Sequence, residues 1–354
     1  IRKTMKILGV EFAPLNVPLK RRLETLSAAL WIILLSGGDL MGYLLFAYLL
    51  LYSKITRYFV LLYTLWMYYD WDTCNKGGRS ERWTRLMRGN AWQRYFCNYF
   101  PIKLVKTTDL DPTKSYLFCS FPHGILSTGV FGAFGTEHLN CKKVFPGLDF
   151  RVVILEQHFK IPFFREYAYM GGTSGISSSQ RSLIHQLSTK PEAPFTGRAT
   201  ILVIGGAWES LECKPGKYRI LLKRRKGFVK IALKHGAPLV PVISFGETDI
   251  YDQYYWPEGT LMRRIQHYVR KKIGLAPVFL KGRGFFQYSF GIIPRRKPVT
   301  VVVGSPLELP KIEEPTTEQI DEYHEKFVNH LVELFENQKH NYMKNADSVK
   351  LEFL

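Results

Sequence analysis

From Leu26 to Tyr52 the chain is apolar and carries a single charge, Asp39. That run exceeds the ~20 residues a helix needs to cross the hydrocarbon of a bilayer. It leaves two solutions: a helix in lipid, or a soluble fold that buries the run on all sides. A second uncharged stretch, Tyr58 to Tyr69, is short and spans only with Ile55 to Arg57 as a snorkelling end. Lys20, Arg21 and Arg22 precede the pair, and Lys76, Arg79, Arg82, Arg85 and Arg88 follow it. Cations on both outer flanks predict a transmembrane helical hairpin with both ends cytosolic and its connection, near Lys54–Arg57, lumenal. Gly37, Gly38 and Gly42 are expected to break or tilt the first segment, and Asp39 must face protein or water. Buried helices of a soluble fold are the competing reading. The length and the aromatic fringe of Trp66, Tyr68, Tyr69 and Trp71 weigh against it. The run is too long for a signal peptide, and no small-residue cleavage site stands out.

The expected organisation is a cytosolic segment over 1–24, the membrane hairpin over 25–70 and a cytosolic domain over 71–354. In that domain Arg82 to Asn98 reads as one amphipathic helix with Trp83, Leu86 and Met87 on one side. Strands are expected at Ser115–Phe121, Arg151–Gln157, Ala199–Ile204, Leu239–Ser244 and Val299–Val303. Helical stretches lie between them at Ser179–Leu187, Gly227–His235 and Leu261–Lys272. This alternation predicts an α/β domain with a mostly parallel sheet. A final helix over Thr316–His340 spaces Ile320, Phe327, Leu331 and Leu334 to pack on it.

The formal net charge of +19 over 354 residues admits nucleic acid, an anionic membrane or a phosphorylated substrate as partner. Charge flanking membrane segments accounts for part of it. Five widely spaced cysteines without a C-x-x-C pair argue against a disulfide framework or a zinc site. There is no G-x-S-x-G, Walker A loop, G-x-G-x-x-G after a strand, or H-E-x-x-H.

His123 is the residue best placed for chemistry. It follows Phe121-Pro122 at the end of a buried strand, where Pro122 must stop the ladder and Gly124 lets the backbone approach a ligand. The carboxyl ends of strands are where open α/β sheets place their sites. A neutral imidazole there can take a proton from an attacking hydroxyl; a satisfied core histidine is the plainer alternative. Gly205-Gly206 after the strand ending at Ile204 leaves room for a ligand, and Glu209 brings a carboxylate that can orient His123 or bind a substrate hydroxyl. A tight turn with an exposed Glu is equally compatible. Lys223-Arg224-Arg225-Lys226 stands before the helix that starts at Gly227, an arrangement suited to phosphate or simply a solvated face. Tyr99-Phe100-Pro101 reads locally as an aromatic turn.

Taken in order, these motifs resemble one family. Tyr99-Phe100-Pro101, Pro122-His123-Gly124, Gly205-Gly206-Ala207-x-Glu209-Ser210 and Arg225-Lys226-Gly227-Phe228 are followed by Val240-Pro241, Phe245-Gly246-Glu247, Gly282-Arg283-Gly284 and Val302-Val303-Gly304. From about Val10 to the C-terminus the chain resembles the type 2 diacylglycerol acyltransferases. Val10-Glu11-Phe12-Ala13-Pro14-Leu15 and Phe286-Gln287-Tyr288-Ser289-Phe290-Gly291 look most like the monoacylglycerol branch. The resemblance implies a glycerolipid-acyltransferase-like α/β domain anchored in the endoplasmic reticulum, multi-pass, and also found on lipid droplets. It implies transfer of an acyl group from acyl-CoA, a co-substrate, to mono- or diacylglycerol, without a cofactor or metal, and leaves room for a homo-oligomer. His123 would be the general base and Glu209 its partner. Pro122, Gly124, Tyr99, Phe100, Pro101, Gly205, Gly206, Arg225, Lys226 and Gly227 would bind substrate. Two positions depart from expectation: Phe121 replaces the usual first His, and Thr128 stands where the wider glycerolipid acyltransferases have Asp. Phe121 is the one support for an inactive, membrane-anchored lipid-binding scaffold. A long-chain alcohol acceptor, giving a wax ester, is a further alternative. The apolar hairpin counts against a nucleic-acid partner.

Overall fold

The computed structural model describes residues 5–14, 16–79, 81–170 and 175–354, leaving aside the side chains of residues 81–83. Leu15 of the N-terminal motif and the side chains of Arg82 and Trp83 therefore lie outside the described residues. Helix α1 (Leu19–Tyr52) runs without a break through Gly37, Gly38 and Gly42, and α2 (Lys54–Tyr69) follows after Ser53. Ser53 and Thr56 form a reciprocal capping box that starts α2. The connection is thus Ser53, while Lys54–Arg57 forms the first turn of α2. The expected break at the glycines does not occur, and two of them, Gly38 and Gly42, serve as contact points. A Cβ on Gly38 would strike the Phe164 ring, and one on Gly42 the Pro162 carbonyl.

The two halves of α1 have different surroundings. Ser27, Ala28, Trp31 and Ile32 are buried, with Trp31 4.9 Å from the Phe96 ring and the Ser27 hydroxyl donating to Trp92 O at 2.9 Å. Leu40, Leu44, Tyr48 and Leu51 are exposed, as are Tyr58, Phe59, Leu62 and Leu65 of α2. α1 is long and apolar enough to cross a membrane. Both helices are tied to the domain through residues 158–166. Asp39 Oδ1 lies 3.2 Å from His158 Nδ1. Phe163 stacks on Tyr63 at 4.7 Å and reaches Phe46 at 6.5 Å. Tyr63 accepts from Phe163 N–H at 2.9 Å and donates to Glu166 at 3.2 Å. The fully buried Arg165 donates to Asp70 at 2.8 Å, and Arg79 donates to both Asp70 and Glu166. The flanking cations are thus partly structural: Arg79 closes this network, Arg88 is buried and donates to Phe150 O, and Arg22 lies over Phe286 at 5.0 Å.

The expected helix over Arg82–Asn98 is two, α3 (Glu81–Arg88) and α4 (Ala91–Tyr99), because Gly89 ends the first and Asn90 caps the second by accepting from Gln93 N–H. Five strands fall where expected to within a few residues: β2 (Ser115–Phe121), β3 (Leu148–Ile154), β5 (Gly197–Val203), β7 (Leu239–Phe245) and β8 (Thr300–Val303). With β1 (Lys103–Lys106) and β4 (Ile176–Ser177) they form a seven-stranded sheet in the order β1-β8-β7-β2-β5-β3-β4. The run β7-β2-β5-β3-β4 is parallel, and β8 pairs antiparallel with β7 and parallel with β1. This is the mixed, mostly parallel α/β sheet expected. Central strand β2 sends Tyr116 and Phe118 into one core and Leu117, Cys119 and Phe121 into the other, so both faces are dry.

Helices α5 (Thr128–Phe134), α6 (Phe164–Met170), α7 (Gln180–Ser188), α8 (Ala207–Glu212), α9 (Gly227–His235), α10 (Leu261–Ile273) and α11 (Thr317–Tyr342) complete the domain. A separate parallel pair joins β6 (Tyr218–Ile220) to β9 (Leu351–Phe353). All five cysteines are buried and unbonded to one another. The two stretches singled out for the monoacylglycerol branch meet in space: Tyr288 N–H donates to Glu11 O at 2.7 Å and Ala13 N–H to Phe286 O at 2.8 Å.

The docking of α1 makes a paired prediction. Gly38→Val should lower the unfolding midpoint of the detergent-solubilised protein, by about 1–3 kcal/mol of stability, the usual cost of overpacking. Gly37→Val, one residue away with no atom within 4 Å of its added Cβ, should leave the midpoint close to wild type. Equal midpoints for the two variants would refute the contact.

Candidate active site

Three adjacent strands at the centre of the sheet, β7, β2 and β5, point their carboxyl ends the same way. β2 delivers Pro122-His123-Gly124, β5 delivers Gly205-Gly206 followed by α8 with Glu209 and Ser210, and β7 delivers Gly246-Glu247. Motifs up to 124 residues apart in sequence, His123 to Glu247, thus share one sheet edge.

Glu209 is buried and divides its carboxylate between two main-chain donors. Oε2 accepts from His123 N–H at 2.6 Å and Oε1 from Leu221 N–H at 2.8 Å. Burial pushes this carboxyl up to about 7, with the two N–H bonds and the Arg225 charge acting in the opposite direction. Glu209 therefore holds the backbone of His123 and does not touch its ring. The space beside Gly205 is occupied by the Glu209 carboxyl, so that glycine makes room for a side chain of the protein and not for a ligand. Gly206, at φ +58, has open space around it and turns the chain into α8.

Glu247 plays a parallel part. It is buried, and its two oxygens accept from Thr128 N–H at 2.8 Å and Gly129 N–H at 2.7 Å, donors that the first turn of α5 would otherwise leave unsatisfied. Burial also raises its carboxyl to about 7. A Cβ on Gly124, at φ +58, would lie 2.6 Å from Glu247 Cγ. The close approach that Gly124 permits is again to a side chain of the protein.

Between these two carboxyls the loop from His123 to Ser127 is pinned by Ser127 N–H donating to His123 O at 2.9 Å. The imidazole meets a different group. His123 Nδ1 lies 3.0 Å from Ser210 Oγ and 3.3 Å from Gly124 O, while Ser210 Oγ donates to Ile125 O at 3.3 Å. Carbonyl oxygens only accept. The network therefore assigns the proton to Nδ1, donating to Ser210 Oγ and Gly124 O, and leaves the lone pair on Nε2. Enclosure of the ring lowers its proton affinity to about 4, so it is neutral at physiological pH. Ser210 is itself positioned by Gln253, whose Nε2 donates to the carbonyls of Ser210, Leu211 and Cys213 at 3.1, 3.2 and 2.6 Å, closing the C-terminal end of α8.

The remaining candidate residues divide. Arg225 is exposed and lies close enough to act on Glu209. Lys226 is tied to Asp321 of α11 at 2.6 Å, and Lys223 lies over Phe353, so the cation run is not a single patch. Gly227 is exposed at the start of α9. Tyr99 and Phe100 are fully buried, with the Tyr99 hydroxyl donating to Pro294 O at 2.5 Å and Arg296 over its ring. They have no surface to offer a substrate, because their rings complete the core beneath α4; Pro101 is exposed at the turn that follows. Phe121 is 1% exposed and faces Phe327, on the opposite side of β2 from Tyr116 and Phe118. Sequence reasoning overlooked the roles of Ser210, Glu247 and Gln253. The first two stood within quoted motifs, but only the fold shows which atoms they reach.

Known proteins resemble this chain over most of its length. The family model described as diacylglycerol acyltransferase matches residues 49–353. The 2-acylglycerol O-acyltransferase 1 of Bos taurus is 44% identical over 337 residues, spanning 95% of this chain and 97% of its own length. The diacylglycerol O-acyltransferase 2 of Danio rerio is 46% identical over 294 residues, spanning 82% of this chain and 79% of its own, and that of Dictyostelium discoideum is 41% identical over 332 residues, spanning 94% and 96%. With the similarity running nearly the length of the chain, the protein belongs to the diacylglycerol acyltransferase family.

Proposed function

We propose that this protein esterifies the free hydroxyl of mono- or diacylglycerol with an acyl group from acyl-CoA, and that His123 is the general base. The observation that carries the mechanism is the hydrogen bonding of Nδ1, which leaves the lone pair of Nε2 available. The acceptor hydroxyl gives its proton to Nε2 as its oxygen attacks the thioester carbonyl. The tetrahedral adduct then collapses, the C–S bond breaks, and the imidazolium returns its proton to the leaving thiolate. Nothing is oxidised, and no covalent acyl-enzyme forms. While the ring is charged, Nδ1–H remains bonded to Ser210 Oγ and Gly124 O, both acceptors for an imidazolium. Glu209 and Glu247 hold the loop that fixes the ring and take no proton from the substrate. Phe121, the support for the scaffold reading, is a buried core side chain packed toward Phe327, and the proton transfer described does not call on it.

General-base catalysis contributes roughly 10²–10⁴-fold. His123→Ala should reduce acyl transfer from oleoyl-CoA by that factor while expression and membrane association persist, and near-normal turnover would remove His123 from the mechanism. With its proton affinity held at about 4, the ring stays unprotonated on acidification until well below the usual imidazole range. The acid limb of kcat/KM assigned to His123 should therefore lie near pH 4 and not near 6.5.

We propose that α1 and α2 enter the endoplasmic reticulum membrane together with Ser53 at the lumenal side, leaving both ends of the chain cytosolic. The exposed apolar half of α1 and the exposed face of α2 support this reading. α2, at 16 residues, reaches ~24 Å, short of the ~30 Å hydrocarbon, so Lys54 and Arg57 must snorkel to the far headgroups. Tags placed at each terminus should be digested by protease added to intact microsomes; protection of either tag would refute this topology.

As acceptor, 2-monoacylglycerol should be used at least as well as diacylglycerol. The support is the similarity along 97% of the Bos taurus 2-acylglycerol acyltransferase and the pairing of Glu11–Pro14 with Phe286–Tyr288, the stretches that look most like that branch. Purified protein given both acceptors in mixed micelles tests this. Consumption of diacylglycerol at least tenfold faster would make the enzyme chiefly a triacylglycerol synthase.

A further inference from the structure

Arg270, in the last turn of α10, is a cation without an anion. Its Nε is enclosed and has no hydrogen-bond partner, and no carboxylate pairs with its guanidinium among the described residues. Its neighbour is an aromatic face: the guanidinium lies 3.8 Å from the centre of the Trp208 ring, and His267 lies 5.1 Å from the same ring. Trp208 directly precedes Glu209 and Ser210, so this stack abuts the helix that holds His123.

A second cation stands nearby. Arg225 follows the segment whose Leu221 N–H binds Glu209, and its side chain is exposed. Burial lowers the proton affinity of Arg270, and the charge of Arg225 lowers it further, which places the two guanidinium groups within electrostatic reach of each other. Two other cations of the region are neutralised. Arg263, on the same helix, is held by Glu212 and Glu258, and Lys226 by Asp321. A half-buried guanidinium with an enclosed, unpartnered Nε beside a like charge is a place where an anion would be stabilising. The planar fork of Arg suits phosphate oxygens, and stacking on an indole orders it beforehand.

We propose that Arg270 and Arg225, backed by Trp208, bind a phosphate group of the acyl-CoA donor. The inference rests on the acyl-CoA reading of the active site. The pantetheine arm of CoA separates its phosphates from the thioester, so a phosphate site beside the catalytic helix, and not at His123 itself, is what such a donor requires. The 3′-phosphate and the diphosphate share this chemistry, and the donor used in the assay distinguishes them.

The test uses the full-length chain purified in detergent. Arg270→Gln should raise the KM for oleoyl-CoA at least tenfold and leave the KM for the acylglycerol within twofold, and Arg270→Lys should recover part of the loss. On oleoyl-3′-dephospho-CoA the penalty of Arg270→Gln should vanish if the 3′-phosphate is the bound group and persist if it is the diphosphate. Unchanged KM for oleoyl-CoA in folded Arg270→Gln overturns the proposal. Should that variant not fold, Arg225→Gln at the exposed position decides the matter by the same measure. CoA alone, without an acyl chain, should raise the unfolding temperature of the wild type and less that of Arg270→Gln. If the wild type transfers no acyl group yet shows this Arg270-dependent shift, the subsite stands and the acyltransferase reading falls. If it transfers acyl groups and the variants match it in KM, only the subsite falls.

Discussion

The active site hangs on one buried carboxylate. Glu209 joins the main chain of His123, at the end of β2, to that of Leu221, just after β6, with one oxygen for each N–H. A carboxylate that accepts two backbone donors in a dry setting fixes both segments more firmly than a neutral partner would. Everything that aims the imidazole follows from it. The helix that carries Glu209 also carries Ser210, so the group that fixes the backbone and the group that meets the ring move as one body. Gly205 has no side chain because the carboxylate fills that space. Gln253 keeps α8 from fraying at its other end. Glu247 repeats the device on the opposite side of the loop, where it satisfies the first turn of α5 and fills the space against Gly124. Glu209 and Glu247 thus shape the surroundings of the imidazole through the main chain.

The sequence made the parallel sheet readable because its strands are dry on both faces. Ser115–Phe121 and Leu239–Phe245 are near-continuous apolar runs, and their ends carry the motifs. Strands of two or three residues, such as Ile176–Ser177 and Tyr218–Ile220, leave no periodicity to detect. The break between α3 and α4 was written in Gly89-Asn90, a stop signal followed by a cap, and was masked by the amphipathic pattern on either side. Glycines misled in a consistent way. Those at Gly38, Gly42, Gly124 and Gly205 read as kinks or as space for ligand, whereas each is a place where a side chain or carbonyl of the same protein presses in. Tyr99 and Phe100 show the converse: a motif shared with a family can be there for the core. No pattern in one sequence reveals that Glu209 reaches a backbone and Ser210 a ring, since that choice depends on the turn at Gly206.

The helices at the start of the chain are joined to the domain by polar contacts where a bare hydrophobic anchor would have none. Asp39, costly in lipid when unpaired, faces His158, and the Tyr63 hydroxyl bridges the main chain of Phe163 and the carboxylate of Glu166. Asp70, Arg79, Arg165 and Glu166 form the base of this joint. A domain held this way cannot swivel freely on its anchor. The sheet edge with His123 keeps a set orientation to the helices, and so to any surface in which they are embedded.

The pairing of β6 with β9 has a consequence in time. Leu221, which donates to Glu209, directly follows the strand Tyr218–Ile220, whose ladder partner is Leu351–Phe353. On a ribosome, α1 and α2 emerge hundreds of residues before that partner does. Helices α1 and α2 are therefore complete while the loop that carries His123 still lacks one of its supports.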